Sequence, residues 1–563
     1  MSPTGTLRQA EAKLVNEPQN AAPQAAERAL EGIVEELEIV RAFPAEVSRE
    51  VERLKAEPGI VDPKLVDCTA LPFVTIDGPT SKDLDQALYI EASGKGHVVH
   101  YALADAAYYV PTASALFQEA LRRGASFYFP GFSVPMLPRE LSEGLISLNP
   151  AVDRRALVFE MKLDEAGRSI STRVIRARVH SRAKLAWGDV QRFYDDPSKS
   201  PIAGQPFADS LRALREVGKR RILLAEAQDV VRYHRREVEI KTTDGAPPLD
   251  PAGAPGRPRF VVIEAIRDEV ELYNEQISLL VNREGGRMLA ESSDPRLQPI
   301  YRVHPAPDPE KLGALAALTR GVAVAHGLDV ARWALTPGES LNAFLSRLPK
   351  DGPELRIARA LERQAILVNM RSAFSAQPSA HFGVGAEVYA RFSAPMREVV
   401  GIFVHKELLE LGGLERPGET RVDEALREAI VTAANRSRDT QRKVNDHVNR
   451  RVLDAIFKRD LGTIARHRGT VMGMTSSKIH VELDQPGMDV KVYLRDIGKQ
   501  LAPPSANRKR PTPVWLDLSA EGAVLATRED KKVVCVIGDA VDVTALAHDE
   551  SQDRWVLGLE RVI

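Results

Sequence analysis

TIDGPTSKDLDQAL, residues Thr75 to Leu88, places three carboxylates, Asp77, Asp83 and Asp85, within nine residues and follows them at once with Gln86. Carboxylates this close repel one another, and burying them unpaired costs free energy. Such crowding is useful when a cation sits among the oxygens, and an oxygen-only set suits magnesium or manganese rather than zinc. Gly78, Pro79, Thr80 and Ser81 are turn formers, so an exposed acidic turn is the plain alternative. The flanks argue against it. PFVTID before the cluster is apolar and β-branched, and ALYIEA after it alternates like a half-buried strand. The reading is strand, loop, strand, with the acids at the strand ends, where a rigid scaffold aims them at one point.

Outward from this stretch, the 563 residues are enough for two or more domains with their own cores. With 44% hydrophobic and 28% charged residues, the composition is that of a globular protein rather than a disordered one. No apolar run approaches the roughly eighteen residues of a membrane span, and the N-terminus lacks the apolar core of a signal peptide. Cys68 and Cys535 lie too far apart in sequence to suggest a disulfide framework or a CxxC site, and a cytoplasmic setting is expected. A net charge of −1 does not mark a nucleic-acid binder, so any RNA-binding charge has to be local. Residues 1–68 hold 8 Lys and Arg against 13 Asp and Glu, and residues 461–563 hold 14 against 14, which leaves a net +4 in the middle. An arginine-lined channel inside a neutral exterior fits that distribution.

Residues 1–68 read as a helical, acidic region and linker, with apolar positions at helical spacing in AAERALEGIVEELEIV. Residues 69–460 read as a mixed domain, strand-rich in HVVHYALADAAYYV and helical in EVELYNEQISLLVNREGGRMLAE and in the stretch from Arg421 to Gly462. The basic residues of that last stretch, Arg436, Arg438, Arg442, Lys443, Arg450 and Arg451, read as a solvated helix face. Residues 461–563 switch to short β-type runs with turn residues between them, the pattern of a small barrel or sandwich, with Arg508, Lys509 and Arg510 in a basic, proline-rich loop. The expected fold class is α+β.

Five ordered blocks resemble the ribonuclease II / ribonuclease R (RNB) family of exoribonucleases. They are FVTIDGPTSKDLDQAL, FYFPGFSVPMLPRELSEGLISLNP (Phe127 to Pro150), YNEQISLLVN (Tyr273 to Asn282), YRVHPAPDPEKL (Tyr301 to Leu312) and AHFGVGAEVYARFSAPMRE (Ala380 to Glu398). The C-terminal segment is similar to the family's OB-fold RNA-binding domain of the ribosomal-protein S-one type. The resemblance implies processive 3′-to-5′ hydrolysis of RNA to nucleoside 5′-monophosphates with magnesium or manganese. The expected partner is single-stranded RNA, with no membrane partner, and the chain is expected to act as a monomer. By the same resemblance Asp77, Asp83 and Asp85 hold metal, and Asp83, Asp85 and Arg397 are the catalytic residues. Arg397 would grip the scissile phosphate, Tyr128 would stack on the 3′-terminal base, and Glu275 would touch the terminal nucleotide. Phe127 and Phe129 are expected in the core, and His381 is expected to order the site's backbone.

This chain departs from the family pattern in three places. Gln86 replaces the fourth aspartate, and either ligates metal through its amide oxygen or turns to its neighbours. The family's RRYxD appears as Arg397, Glu398, Val399, Val400 and Gly401. About 42 residues precede the match, too few for the family's cold-shock domains, and a helix-turn-helix-like element is expected there. The alternative function is an RNA-binding protein on a catalytically weakened RNB scaffold, with Gln86 as the damage.

Overall fold

The computed structural model describes residues 13–14, 25–231, 237–242, 260–265, 267–502 and 513–562. The basic loop with Arg508, Lys509 and Arg510 lies outside the described residues, as does most of the chain before residue 25. Two helices come first, α1 (Ala25–Glu36) and α2 (Ala45–Ala56). They do not form a helix-turn-helix unit, in which the two helices pack together. Leu30, Ile33 and Val34 of α1 bury themselves with Val444 and Val448 of a distant helix, whereas Val47 and Val51 of α2 join the central core. Glu50 of α2 also caps the helix Ala115–Arg123, its carboxylate accepting the Ala115 and Leu116 N–H groups at 3.0 and 2.9 Å.

The central sheet is built from β1 (Phe73–Asp77), β2 (Gln86–Ser93) and β3 (Gly96–Ala104). After the short hairpin β4 (Phe127–Phe129) and β5 (Phe132–Val134), it continues with β6 (Asp153–Leu163) and β7 (Ser169–Ala186). The sheet closes on itself because β7 is long enough to serve two partners. Its first part runs antiparallel to β6 and its last residues run parallel to β1. Between them β1, β2, β3 and β6 pair antiparallel in that order. All of β3 is buried, which explains why HVVHYALA is nearly continuous in apolar residues instead of alternating. The loop from Gly78 to Asp85 therefore crosses one end of a closed sheet, with Asp77 at its entrance and Gln86 at its exit.

Helix α3 (Glu269–Ala290), opened by a capping box of Asp268 and Glu271, covers the sheet. A side chain on its Gly285 would collide with the Phe392 ring, so the absent Cβ is what lets the segment before Arg397 lie close. Three further helices matter to the site: α4 (Leu355–Leu367), α5 (Val399–Leu411) and α6 (Thr420–Asp460). The C-terminal unit comprises β8 (His467–Met474), β9 (Lys478–Leu483), β10 (Asp489–Tyr493), β11 (Ala540–Asp549) and β12 (Arg554–Arg561). Their order, β10-β9-β8-β11-β12, is that of an OB-like barrel, and a three-stranded sheet is inserted before β11. Arg356, Arg359 and Arg363, a helical stripe on α4, pair with Asp484, Glu482 and Asp489 and tie the barrel to the rest. No helix among the described residues is long and apolar enough to cross a membrane.

Candidate active site

The acidic loop is held from two sides. Lys184, near the end of β7, donates to the carbonyls of Pro79 (3.0 Å) and Ser81. Ser147 accepts the Leu84 N–H at 3.0 Å and donates to the Lys82 carbonyl at 2.7 Å, so both neighbours of Asp83 are fixed. Asp77 accepts the Gly78 N–H and the Ser81 hydroxyl on one oxygen, at 2.7 and 2.9 Å. Asp85 is only 1% exposed, and both its oxygens are engaged, one by the Met396 N–H at 2.8 Å and one by Arg397 Nε at 2.5 Å. Burial pushes the Asp85 carboxyl up to about 6 against the opposing pull of Arg397. Burial also raises Asp83, again opposed by Arg397. For Arg397 burial alone would lower the pKa, yet Asp85, Tyr128, Asp83 and Asp77 together hold it above its ordinary value.

Arg397 and Tyr128 are neighbours because their backbones are. The Ser126 N–H donates to the Arg397 carbonyl at 2.9 Å, and the Val399 N–H donates to the Gly124 carbonyl at 3.1 Å, immediately before β4. Phe127 and Phe129 are buried, as expected, while Tyr128 between them is 46% exposed. Its ring borders a cavity of about 500 Å³ shared with Asn445 and Asn449 of α6 and with Gly487 to Asp489 at the barrel edge. Burial of the phenol pushes its pKa up to about 12, with the Arg397 guanidinium beside it pulling the other way.

Gln86 is not placed as a metal ligand. Its amide oxygen accepts the Tyr101 hydroxyl and, at 3.1 Å, the Ser278 hydroxyl, so both lone pairs are used. It pairs with Leu103 at the start of β2, which puts it on the strand face shared with Tyr101. Glu275 on α3 is ion-paired with Arg267 at 2.9 Å rather than grouped with the aspartates, and borders a separate cavity of about 260 Å³ with Arg221 and Arg283. His381 bridges through its backbone to His304 and Ala386, and its ring lies between those of His304, which it meets edge-on, and Tyr389, which it meets at a tilt.

Asp77, Asp83 and Asp85 do not converge to within 4.8 Å; among the described residues only Glu407, Glu410 and Asp423 do so. That second triad is filled by a side chain. Lys406 Nζ lies 3.0, 2.8 and 2.8 Å from the three carboxylates. In the first set, neither Asp77 nor Asp83 has an ion-pair partner within 4 Å among the described residues. Two unpaired carboxylates of hard oxygen donors fit magnesium or manganese, whereas Asp85 is committed to Arg397.

Sequence reasoning missed several residues that build this site. Asn282 is fully buried and uses its amide on the Phe392 and Ser393 N–H groups and on the Tyr389 and Ser393 hydroxyls, which fixes the segment leading to Arg397. Its place at the end of YNEQISLLVN was the available signal. Arg436 is exposed, as read, with a hydrogen bond to the Arg122 carbonyl at 2.7 Å, whereas Arg438 is half-buried and donates to the Ser372 carbonyl at 2.6 Å. The sequence context of Arg438 gave no signal, since a charge run looks the same on either face of a helix.

The description of the RNB domain matches residues 65–411 of this sequence. The chain belongs to the RNB family. Among curated RNB relatives, ribonuclease R of Vibrio cholerae serotype O1 is 30% identical over 375 residues, 66% of this chain. The match spans 43% of that protein's length, so this chain covers less than half of it. In fold, the structure of Mycoplasma genitalium RNase R in complex with ribose methylated single-stranded RNA aligns at a TM-score of 0.79 and 22% identity, covering 95% of this chain and 78% of that one. Yeast Ssd1, a pseudonuclease, aligns at a TM-score of 0.61 and 13% identity, covering 94% and 59%. The RNB scaffold thus occurs both in ribonucleases and in a pseudonuclease.

Proposed function

We propose that this RNB protein is a metal-dependent exoribonuclease that removes nucleoside 5′-monophosphates processively from the 3′ end of single-stranded RNA. The observation that carries the reading is the Arg397–Asp85 pair, set beside Tyr128 and next to two carboxylates without counter-ions among the described residues. Asp85 anchors Arg397 through Nε, which leaves the outer guanidinium nitrogens to grip a phosphate and the charge that develops on it. The exposed Tyr128 ring offers a stacking face that accepts any base, as a sequence-tolerant nuclease needs. Magnesium or manganese held by Asp77 and Asp83 would supply the Lewis acid for water and leaving oxygen. The C-terminal barrel, residues 461–563, is read as the domain that grips the strand and feeds it past Asn445 and Tyr128. Residues 69–460 are read as the catalytic domain.

The second reading, an RNA-binding protein without hydrolysis, rests on Gln86 standing in place of an acid and turning to Tyr101 and Ser278. A 5′-labelled single-stranded oligoribonucleotide incubated with magnesium separates the two. A ladder shortening from the 3′ end supports the nuclease; an intact, retained oligonucleotide supports the second reading.

A further inference from the structure

The β4–β5 hairpin carrying Tyr128 has three-residue strands, too short to hold a defined position alone. Tyr128 lies opposite Ser133 at the position whose N–H and C=O point away from β5. Those two groups need partners, and one side chain supplies both. The Tyr128 N–H donates to Gln441 Oε1 at 2.9 Å, and Gln441 Nε2 donates to the Tyr128 carbonyl at 3.0 Å. The carboxamide takes the place of a neighbouring strand. Gln441 is itself oriented, because Nε2 also donates to Asn445 Oδ1 one turn farther along α6 at 2.9 Å. Phe127 and Phe129, packed in one core with Val444 and Val448, fix the hairpin's rotation, and Gln441 fixes its height along the helix.

The same helix makes a second clasp of this kind. The Phe374 N–H donates to Asn435 Oδ1 at 2.9 Å, and Asn435 Nδ2 donates to the Phe374 carbonyl at 3.0 Å. That clasp holds a strand with no exposed aromatic ring on it, and is a matched control for the first.

We propose that Gln441 is a positioning residue: by gripping the Tyr128 backbone it sets where the Tyr128 ring stands against the terminal base, and so ties the grip to α6. The proposal rests on the reading of Tyr128 as the base-stacking residue. A helix that reaches the barrel at its C-terminal end and holds Tyr128 at its middle connects strand capture to the end being cut.

The test is a double-mutant cycle on a short oligoribonucleotide, with KM, kcat and the length of the final fragment as readouts. Gln441→Ala is expected to raise KM about five- to tenfold with kcat within about twofold, and to lengthen the final fragment. In a Tyr128→Ala background the same change should add nothing. Asn435→Ala should lower the melting temperature about as much as Gln441→Ala while leaving KM and fragment length alone. If Gln441→Ala shifts KM equally with and without the tyrosine ring, or moves only the melting temperature, the positioning role is wrong. If Tyr128→Ala leaves KM and fragment length at wild-type values, the stacking reading itself fails, and this proposal with it.

Discussion

Two sets of three acids sit in this chain, and they solve the problem of crowded carboxylates in opposite ways. Glu407 and Glu410 of α5 and Asp423 of α6 are buried with their oxygens within 4.8 Å, and the chain provides the counter-ion in Lys406. Asp77, Asp83 and Asp85 are spread around the end of a closed sheet. They share one guanidinium, which is paired with Asp85 alone. Closeness of acids is therefore a poor mark of a metal site. The tight cluster is closed by its own lysine and has a structural task, tying α5 to the start of α6. The looser cluster leaves Asp77 and Asp83 without an ion-pair partner among the described residues, near an exposed aromatic residue, which is the arrangement that can take a cation and a substrate.

The contrast predicts opposite phenotypes. Asp85→Asn should cut the single-turnover rate by about 10³-fold, as loss of a charge next to the reacting phosphate does, while RNA affinity stays within about threefold. Chemical-quench and filter-binding assays on one preparation check this, and a parallel loss of both would contradict it. Lys406→Met should do the reverse. Leaving three buried carboxylates without their cation is expected to cost about 3–5 kcal/mol of stability in denaturant titrations, with hydrolysis per folded molecule unchanged. Burial already raises Glu407 in the wild type against the pull of Lys406, so without Lys406 the folded state holds the Glu407 proton more tightly still than the unfolded chain does. The folded state then binds more protons, so the variant should recover stability as pH falls toward the carboxylate range.

How much of this was legible in the sequence depends on how far apart the interacting residues lie. The strands flanking TIDGPTSKDLDQAL, the 41-residue helix α6 and the short strands of the C-terminal sheet are local patterns, and each is present where the sequence pattern placed it. The family resemblance marked Tyr128, and the structure shows the alternation of strand β4 turning Phe127 and Phe129 inward and Tyr128 outward. The rest depends on contacts across hundreds of residues. Gln441 meets Tyr128 across 313 positions and Arg397 meets Asp85 across 312. The family blocks pointed to Arg397, but no pattern marked Gln441. Gln86 looked like a ligand because it follows Asp85, yet strand pairing turns it to Tyr101. The helices α1 and α2 are neighbours in sequence, yet each buries its apolar face in a different core.

Smaller effects sharpen the comparison within the open site. Tyr128→Ala should weaken the hold on the terminal nucleotide by about 1–3 kcal/mol and change the final fragment, with little change in melting temperature, since the ring is half exposed. A large fall in melting temperature would place the ring in the core instead. Gln86→Asp should leave the magnesium concentration for half-maximal activity within about twofold, because position 86 faces hydroxyls and not the other acids. A clearly lower requirement would return position 86 to the metal.

The most direct test of the account is where the cation goes. Manganese binding followed by electron paramagnetic resonance, with a non-hydrolysable single-stranded oligoribonucleotide bound, compares wild type, Asp83→Asn and Glu410→Gln. The account predicts a bound manganese signal in the wild type and in Glu410→Gln, and its loss in Asp83→Asn. A signal that survives Asp83→Asn and disappears in Glu410→Gln, or that is absent from the wild type, would contradict it.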